Sequence, residues 1–191
     1  CTAEGNSAYG FFFSYPDGVY LYDCTDIETG RGKTDYSAVK PTSFFIVQSQ
    51  LTNANPSIVM ENCASLNSHG RGLYATLVDY VQIKNFTMTN PGGINGVGAL
   101  IGDPALGGQV VDSQFDIHAA GDAVKTLIGV NGVTNSRFTG DVVSDAENPI
   151  LVDGSAQSTA MMKDMEIQPS TPPEDPTGET TSDSVSADAP L

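Results

Sequence analysis

Short apolar runs recur along the chain in two alternating series. In one, an apolar strand end is followed by Asn or Asp, then an inward-pointing residue, a polar residue and usually an apolar one. The copies read Tyr22-Asp23-Cys24-Thr25, Glu61-Asn62-Cys63-Ala64, Lys84-Asn85-Phe86-Thr87-Met88, Val111-Asp112-Ser113-Gln114-Phe115, Thr134-Asn135-Ser136-Arg137-Phe138 and Lys163-Asp164-Met165-Glu166-Ile167. In the first two, the apolar residue arrives one place late, at Ile27 and Leu66. A second apolar strand precedes each copy: Phe11-Phe12-Phe13, Phe44-Phe45-Ile46, Ala75-Thr76-Leu77, Ala99-Leu100-Ile101, Thr126-Leu127-Ile128 and Ile150-Leu151-Val152. The series alternate without exception. Later copies recur every roughly 25 residues, and the first two are longer, as in a repeat array carrying loop insertions.

One repeat is too small to bury its own apolar face, so stacking must exclude water from Leu77, Ile101, Ile128 and Val152. Buried parallel strands take aliphatic and β-branched residues, which stand at those places. Asn and Asp tolerate left-handed dihedrals and bond neighbouring backbone, so they mark the turn between two strands. The pattern predicts an all-β fold, a right-handed parallel β-helix of about six coils over residues 9–167. Asp23, Asn62, Asn85, Asp112, Asn135 and Asp164 would stack as a turn ladder. Cys24 and Cys63 would meet as inward neighbours in adjacent coils, as two thiols or as a bond. Ile128, rather than Leu127, is expected to face the core. Residues 1–8 form an N-terminal segment. Residues 168–191, rich in Pro, Ser, Thr, Asp and Glu and without Lys or Arg, read as a disordered tail or linker.

This strand–Asn–strand repeat resembles the pectin-lyase-like superfamily of right-handed β-helices. In its enzymes the substrate lies along one strand face flanked by loops, and residues 28–42, 67–72, 89–96, 116–124 and 139–148 are the comparable segments. Polygalacturonase-like members carry an Asp cluster, a Gly-His-Gly and an Arg-x-Lys. Here Ser68 precedes His69-Gly70, and Arg31-Gly32-Lys33 comes before the His instead of after it. Pectate-lyase-like members hold Ca²⁺ with several Asp. Asp103, Asp116, Asp122, Asp141, Asp145 and Asp153 could supply such oxygens, although turn formation explains most of them. The resemblance implies an extracellular, cell-surface or virion setting, and a spike-type assembly would be a homotrimer.

Charge narrows the partners. Twenty-three acidic residues face eight basic ones, a net of −15, which argues against nucleic acid. No apolar run approaches the ~20 residues of a transmembrane helix. Such acidity suits a secreted protein or a halophilic source. Without the tail the body still carries a net of −10. Its thermal midpoint is therefore expected to rise from ~0.1 to ~2 M NaCl, as the Debye length falls from ~10 Å to below ~3 Å. A midpoint that stays flat or falls removes the halophilic reading.

Arg31, Lys33, Lys40 and Arg71, with His69, make the candidate ligand-binding set: a basic patch on an acidic protein that could bind an anionic sugar, or simply solvated loop charges. Tyr9, Tyr15, Tyr20 and Tyr36 could stack on sugars or cap the solenoid. Cys1-Thr2-Ala3-Glu4-Gly5 resembles a processed lipoprotein, with Cys1 as lipid anchor. With two His, three Cys and neither CxxC nor HExxH, a zinc site is not expected; no cofactor is expected beyond Ca²⁺. The sequon Asn85-Phe86-Thr87 sits inside the repeat, where a structural role is expected. The leading expectation is a non-enzymatic extracellular surface, adhesion or virion-spike protein presenting loops to a carbohydrate or surface protein. The alternatives are a small polysaccharide lyase or glycoside hydrolase, and a lipid-anchored cell-envelope spacer.

Overall fold

The computed structural model describes residues 1–32, 40–47, 56–94, 96–103, 108–152 and 162–170. The first repeat contains β1 (Thr2–Glu4), β2 (Tyr9–Ser14), β3 (Val19–Tyr22) and β4 (Thr25–Ile27); the second contains β5 (Thr42–Val47), β6 (Ile58–Glu61) and β7 (Ala64–Leu66). The third contains β8 (Arg71–Thr76), β9 (Val78–Asp79) and β10 (Val81–Thr89), and the fourth β11 (Val97–Ile101), β12 (Val110–Val111) and β13 (Gln114–Ala120). The fifth contains β14 (Thr126–Val130), β15 (Val133–Thr134) and β16 (Arg137–Val143). The last has β17 (Ile150–Val152), a 3-10 turn (Met162–Asp164) and β18 (Met165–Gln168). No α-helix occurs among the described residues.

The strands form three sheets, and every pairing between named strands is parallel. The nine-stranded sheet runs β1-β4-β7-β10-β13-β16-β18, with β3 and β6 pairing alongside and joining it at β10. The six-stranded sheet runs β17-β14-β11-β8-β5-β2, and the small third sheet β15-β12-β9. From the second repeat to the fifth the chain leaves the six-stranded sheet and returns to it one strand further on. These long parallel sheets are compatible with the stacked repeats that the alternating series predicts.

The corners explain why Asn and Asp recur. Left-handed residues fall in rows at strand ends: Asp23, Asn62 and Asn85; Tyr80, Asp112 and Asn135; Glu28, Asn67 and Asn90; Tyr15 and Leu77. Each pivots the chain in a conformation that Asn and Asp adopt most readily. Leu77 is one of these pivots, with φ of 55°, and is only half-buried. It therefore does not line the core. The core triplet of the third repeat is Leu73-Tyr74-Ala75, which pairs with Phe44-Phe45-Ile46. The third-repeat triplet thus lies two residues earlier than expected, and that of the fifth two residues later, at Ile128-Gly129-Val130, opposite Ala99-Leu100-Ile101.

Inside, Phe11 stacks on Phe44 at 4.8 Å, Phe44 meets Phe86 edge-on at 5.3 Å, and Phe115 stacks on Phe138 at 4.9 Å. Strand alternation breaks once in the six-stranded sheet. A side chain on Gly10 would run into the Asp26 carboxylate, and one on Gly72 into the Met88 sulfur. These positions face inward although Phe11 and Leu73, next to them, also lie in the core. Leu127 holds the same place beside Ile128, and both are wholly buried. Ranking Ile128 above Leu127 as the inward residue finds no support in burial.

Cys24 and Cys63 are inward neighbours on adjacent strands, the Ala64 amide donating to the Cys24 carbonyl at 2.8 Å. Both are free thiols. Burial pushes the Cys63 thiol above its ordinary value.

Asp26 is an ionisable group in this interior. It is wholly buried; Oδ1 accepts from the Thr29 hydroxyl at 2.9 Å, while Oδ2 has no partner. Burial raises its pKa, against hydrogen bonds from Ser43, Thr29 and Asn6 that lower it. A raised folded-state value means the folded chain holds this proton more tightly than the unfolded chain. Stability from Asp26 is therefore full below the ordinary carboxylate range and is lost as pH rises through the folded pKa. Asp26→Asn is expected to raise the melting temperature at pH 7 and to reduce the loss of stability between acid and neutral pH. A melting temperature at pH 7 below that of the wild type would mean the ionised carboxylate is stabilised in place.

Candidate functional site

The described residues expected to form a basic patch sit in different settings. Arg31 is exposed and paired to Glu28 at 2.8 Å. Lys40 and His69 are exposed and flank Pro41 and Gly70, where the Arg71 amide donates to the Pro41 carbonyl at 3.0 Å. Lys33 and Tyr36 lie outside the described residues. Arg71 is the exception in kind. It is 4% exposed, its guanidinium sits 4.6 Å above the Tyr74 ring, and its Nε has no partner. Burial lowers its pKa, opposed by Tyr74 and Asp103. The Tyr74 hydroxyl donates to Asp103 at 2.6 Å, and burial together with that carboxylate raises its pKa. Phe45 stacks on Tyr74 at 4.9 Å, and Phe12 and Tyr9 extend the row. Arg71 is therefore part of the wall of the six-stranded sheet, laid over the Tyr74 ring, and is withdrawn from the surface set.

The turn ladder is real in two pieces. Asn85 Nδ2 donates to Asn62 Oδ1 at 2.9 Å, and Asn62 Nδ2 to Asp23 Oδ1 at 3.2 Å. Asn135 donates to Asp112 at a different corner, between the third sheet and the nine-stranded one. The single column through Asn85 and Asp112 is corrected by the pairing of β10 with β13. There Ile83 opposes Phe115 and Phe86 opposes Ile117, so a bulge sets Lys84 and Asn85 against Asp116. Asp116 Oδ2 accepts from the Asn85 amide and Oδ1 from the Thr139 hydroxyl, both at 3.0 Å. Asp164 precedes β18, beside Thr139, and its carboxylate pairs with Arg137 at 3.4 Å. Asn85 spends its side-chain amide on this ladder, in keeping with a structural role for the sequon.

The outer face of the nine-stranded sheet gathers the most chemistry. Alternation puts Tyr20 and Tyr22 of β3 outward, 56% and 54% exposed, with Leu21 inward between them. In register with Tyr20 stand Val59, Gln82, Gln114 and Arg137; in register with Tyr22 stand Glu61 and Lys84. Lys84 and Glu61 pair at 3.8 Å. A shallow depression here is lined by Lys84, Gln114, Asp116, Arg137 and Thr139 among others.

Two residues beyond Asp116 on the same strand, His118 points outward and directly opposes Asp141 of β16. His118 Nδ1 is hydrogen-bonded to Asp141, and its Nε2 lies 3.8 Å from Asp116 Oδ1. The imidazole thus stands between two carboxylates, all three groups about one-third exposed. Residues 116–120 and 139–143, expected in loops, are strand. Sequence reasoning named Asp116 and Asp141 only as calcium ligands and missed His118. The signal was its separation of 23 residues from Asp141, equal to that between Asn62 and Asn85.

Cys1 is exposed, and its ammonium donates to the Asp23 carbonyl at 3.1 Å. Asp122 and Asp145 serve as turn acceptors: Asp122 for the Asp145 amide and Ser144, Asp145 for Ser170. The Asp145 amide lowers the Asp122 pKa. Asp153 lies outside the described residues. Among the described residues no three His, Cys, Asp or Glu side chains are placed to hold a metal ion, and no helix is long and apolar enough to cross a membrane.

No family model, curated protein or solved structure matches this chain.

Proposed function

We propose that the chain is a right-handed parallel β-helix of the pectin-lyase-like type, acting as a non-enzymatic extracellular surface, adhesion or virion-spike protein that binds carbohydrate. The right hand follows from the near-universal handedness of parallel crossovers. The observation that carries the binding role is the pair of half-exposed tyrosines, Tyr20 and Tyr22, beside an in-register strip of amide and charged groups. Aromatic faces with adjacent polar groups suit sugars, whose rings offer C–H surfaces and hydroxyls together. The partner is a glycan presented by a cell or matrix.

A small polysaccharide lyase or glycoside hydrolase is the second reading, favoured by one observation: His118, held by Asp141, turns its second nitrogen toward a second carboxylate. Such a group could move a proton. The experiment is a glycan-array screen with the wild type and Tyr20→Ala/Tyr22→Ala, paired with a reducing-end assay on every glycan bound. Binding without new reducing ends, lost in the double variant while its melting temperature holds, is the expected result. New reducing ends that vanish in His118→Ala would favour the enzyme; binding untouched by the double variant would move the site elsewhere.

A further inference from the structure

We infer that the outer face of the six-stranded sheet docks a second copy of this chain, about a two-fold axis running along β8 at Tyr74. The glycan reading concerns the other large sheet, and the dimer does not depend on it.

The face is apolar across its width. Register sets Phe12, Phe45, Tyr74, Leu100, Gly129 and Leu151 in one row over β2, β5, β8, β11, β14 and β17. Core residues flank each of them on its own strand, so alternation turns the row outward. Phe12 and Leu151 are 49% and 54% exposed. The six strands hold one charged residue, Arg71, which lies over Tyr74 and near Asp103. Two copies of a chain with a net charge of −15 repel wherever their carboxylates oppose each other. This face brings only Arg71 and Asp103 to the contact, and their charges offset.

Shape selects a second copy as the occupant. Gly129 leaves a gap in the row: the Cβ it lacks would lie 3.1 Å from Val97 and 3.4 Å from Leu100. An open depression results, with Leu100 on one side and Leu151 on the other. Four strands away stands the exposed ring of Phe12, held by Tyr9 at 5.1 Å and Phe45 at 5.2 Å. A two-fold axis at Tyr74 keeps the strands parallel and reverses the stacking order of the sheet. It sets Phe12 over Gly129 of the other copy, Phe45 over Leu100 and Tyr74 over Tyr74. Knob and hole then match twice by symmetry, as an isologous contact requires.

Five strand spacings of ~4.8 Å and about five residues of ~3.3 Å make a face of roughly 400 Å² in flat projection. Apolar patches of that size mark interaction sites. Roughly 800 Å² over two copies is the low end for a specific interface, so the dimer is weak and reversible, with Kd roughly micromolar.

The test is sedimentation of the full chain from about 1 μM to about 1 mM, where monomer should give way to dimer. Phe12→Ala should weaken association about tenfold or more, and Leu100→Glu should abolish it by burying a carboxylate against Phe45. Tyr20→Ala, on the other sheet, should leave it unchanged; melting temperatures are compared for each variant. In a Cys1→Ser background, whose remaining thiols are buried, a Phe45→Cys chain mixed with a Leu100→Cys chain should be joined by a short bismaleimide. Each alone should be joined far less, because the axis sets each against the other. A monomer throughout leaves the face to another occupant and overturns the inference. So would a trimer, a dimer indifferent to Phe12→Ala and Leu100→Glu, or Phe45→Cys joined to itself as readily as to Leu100→Cys. Failure to bind glycan would leave it standing.

Discussion

Phe86→Ala is expected to lower the unfolding free energy by about 3–5 kcal/mol. Phe86 follows the left-handed Asn85, and that pivot turns its ring straight into the interior, where it is wholly buried. Its ring meets Phe44 edge-on, joining the nine-stranded sheet to the six-stranded one. Both backbones are pinned by parallel pairing on either side, so neither sheet can move in to fill the space. Most of the cavity should persist, and the cost should sit in the upper part of the range for such truncations. Urea denaturation measures it directly. A loss under about 1 kcal/mol would mean that the two sheets collapse around the missing ring.

Gly140→Ala should be at least as damaging, for a different reason. Gly140 lies in β16 between Ile117 of β13 and Met165 of β18, with φ of 117°. An added Cβ would come 2.0 Å from the Ile117 carbonyl oxygen. Neither partner can yield, because the obstacle is main chain held in a ladder. We expect a loss of about 3 kcal/mol or more, with the pairing of β13 to β16 disrupted. Gly5→Ala provides the comparison: φ is 62° and nothing lies within 4 Å. There only the left-handed backbone cost of about 1–2 kcal/mol remains. Thermal melts of the two variants separate the effects, and equal losses would show that dihedral strain alone accounts for Gly140.

The recurrence of Asn and Asp after apolar runs made the parallel sheets legible in the sequence. Its phase was harder to read, because two different corners use the same residue types. Asn85 ends the first half of β10, whereas Asp112 ends β12 in another sheet, yet each is flanked by similar apolar residues. In the third repeat the corner that matches Asp112 holds Tyr80, which no turn preference would single out. Leu77 misled in the opposite sense: its side chain suggests core, while its backbone pivots. His118 went unnoticed because β13 and β16 run on past the point where polar residues suggested loops. Once the strands are known, alternation alone turns Asp116, His118 and Asp141 to one face.

The asparagine rows also have a grammar. In all three, amide donors point toward the lower-numbered residue, Asn90 to Asn67 among them, and two of the rows end on an aspartate: Asn85 to Asn62 to Asp23, and Asn135 to Asp112. A carboxylate accepts and never donates when ionised, so it closes a row that an asparagine would leave with a donor to spare. The two residues are then not synonyms. Asp23→Asn merely removes the stop, whereas Asn62→Asp sets two carboxylates in contact and cuts the sentence in the middle.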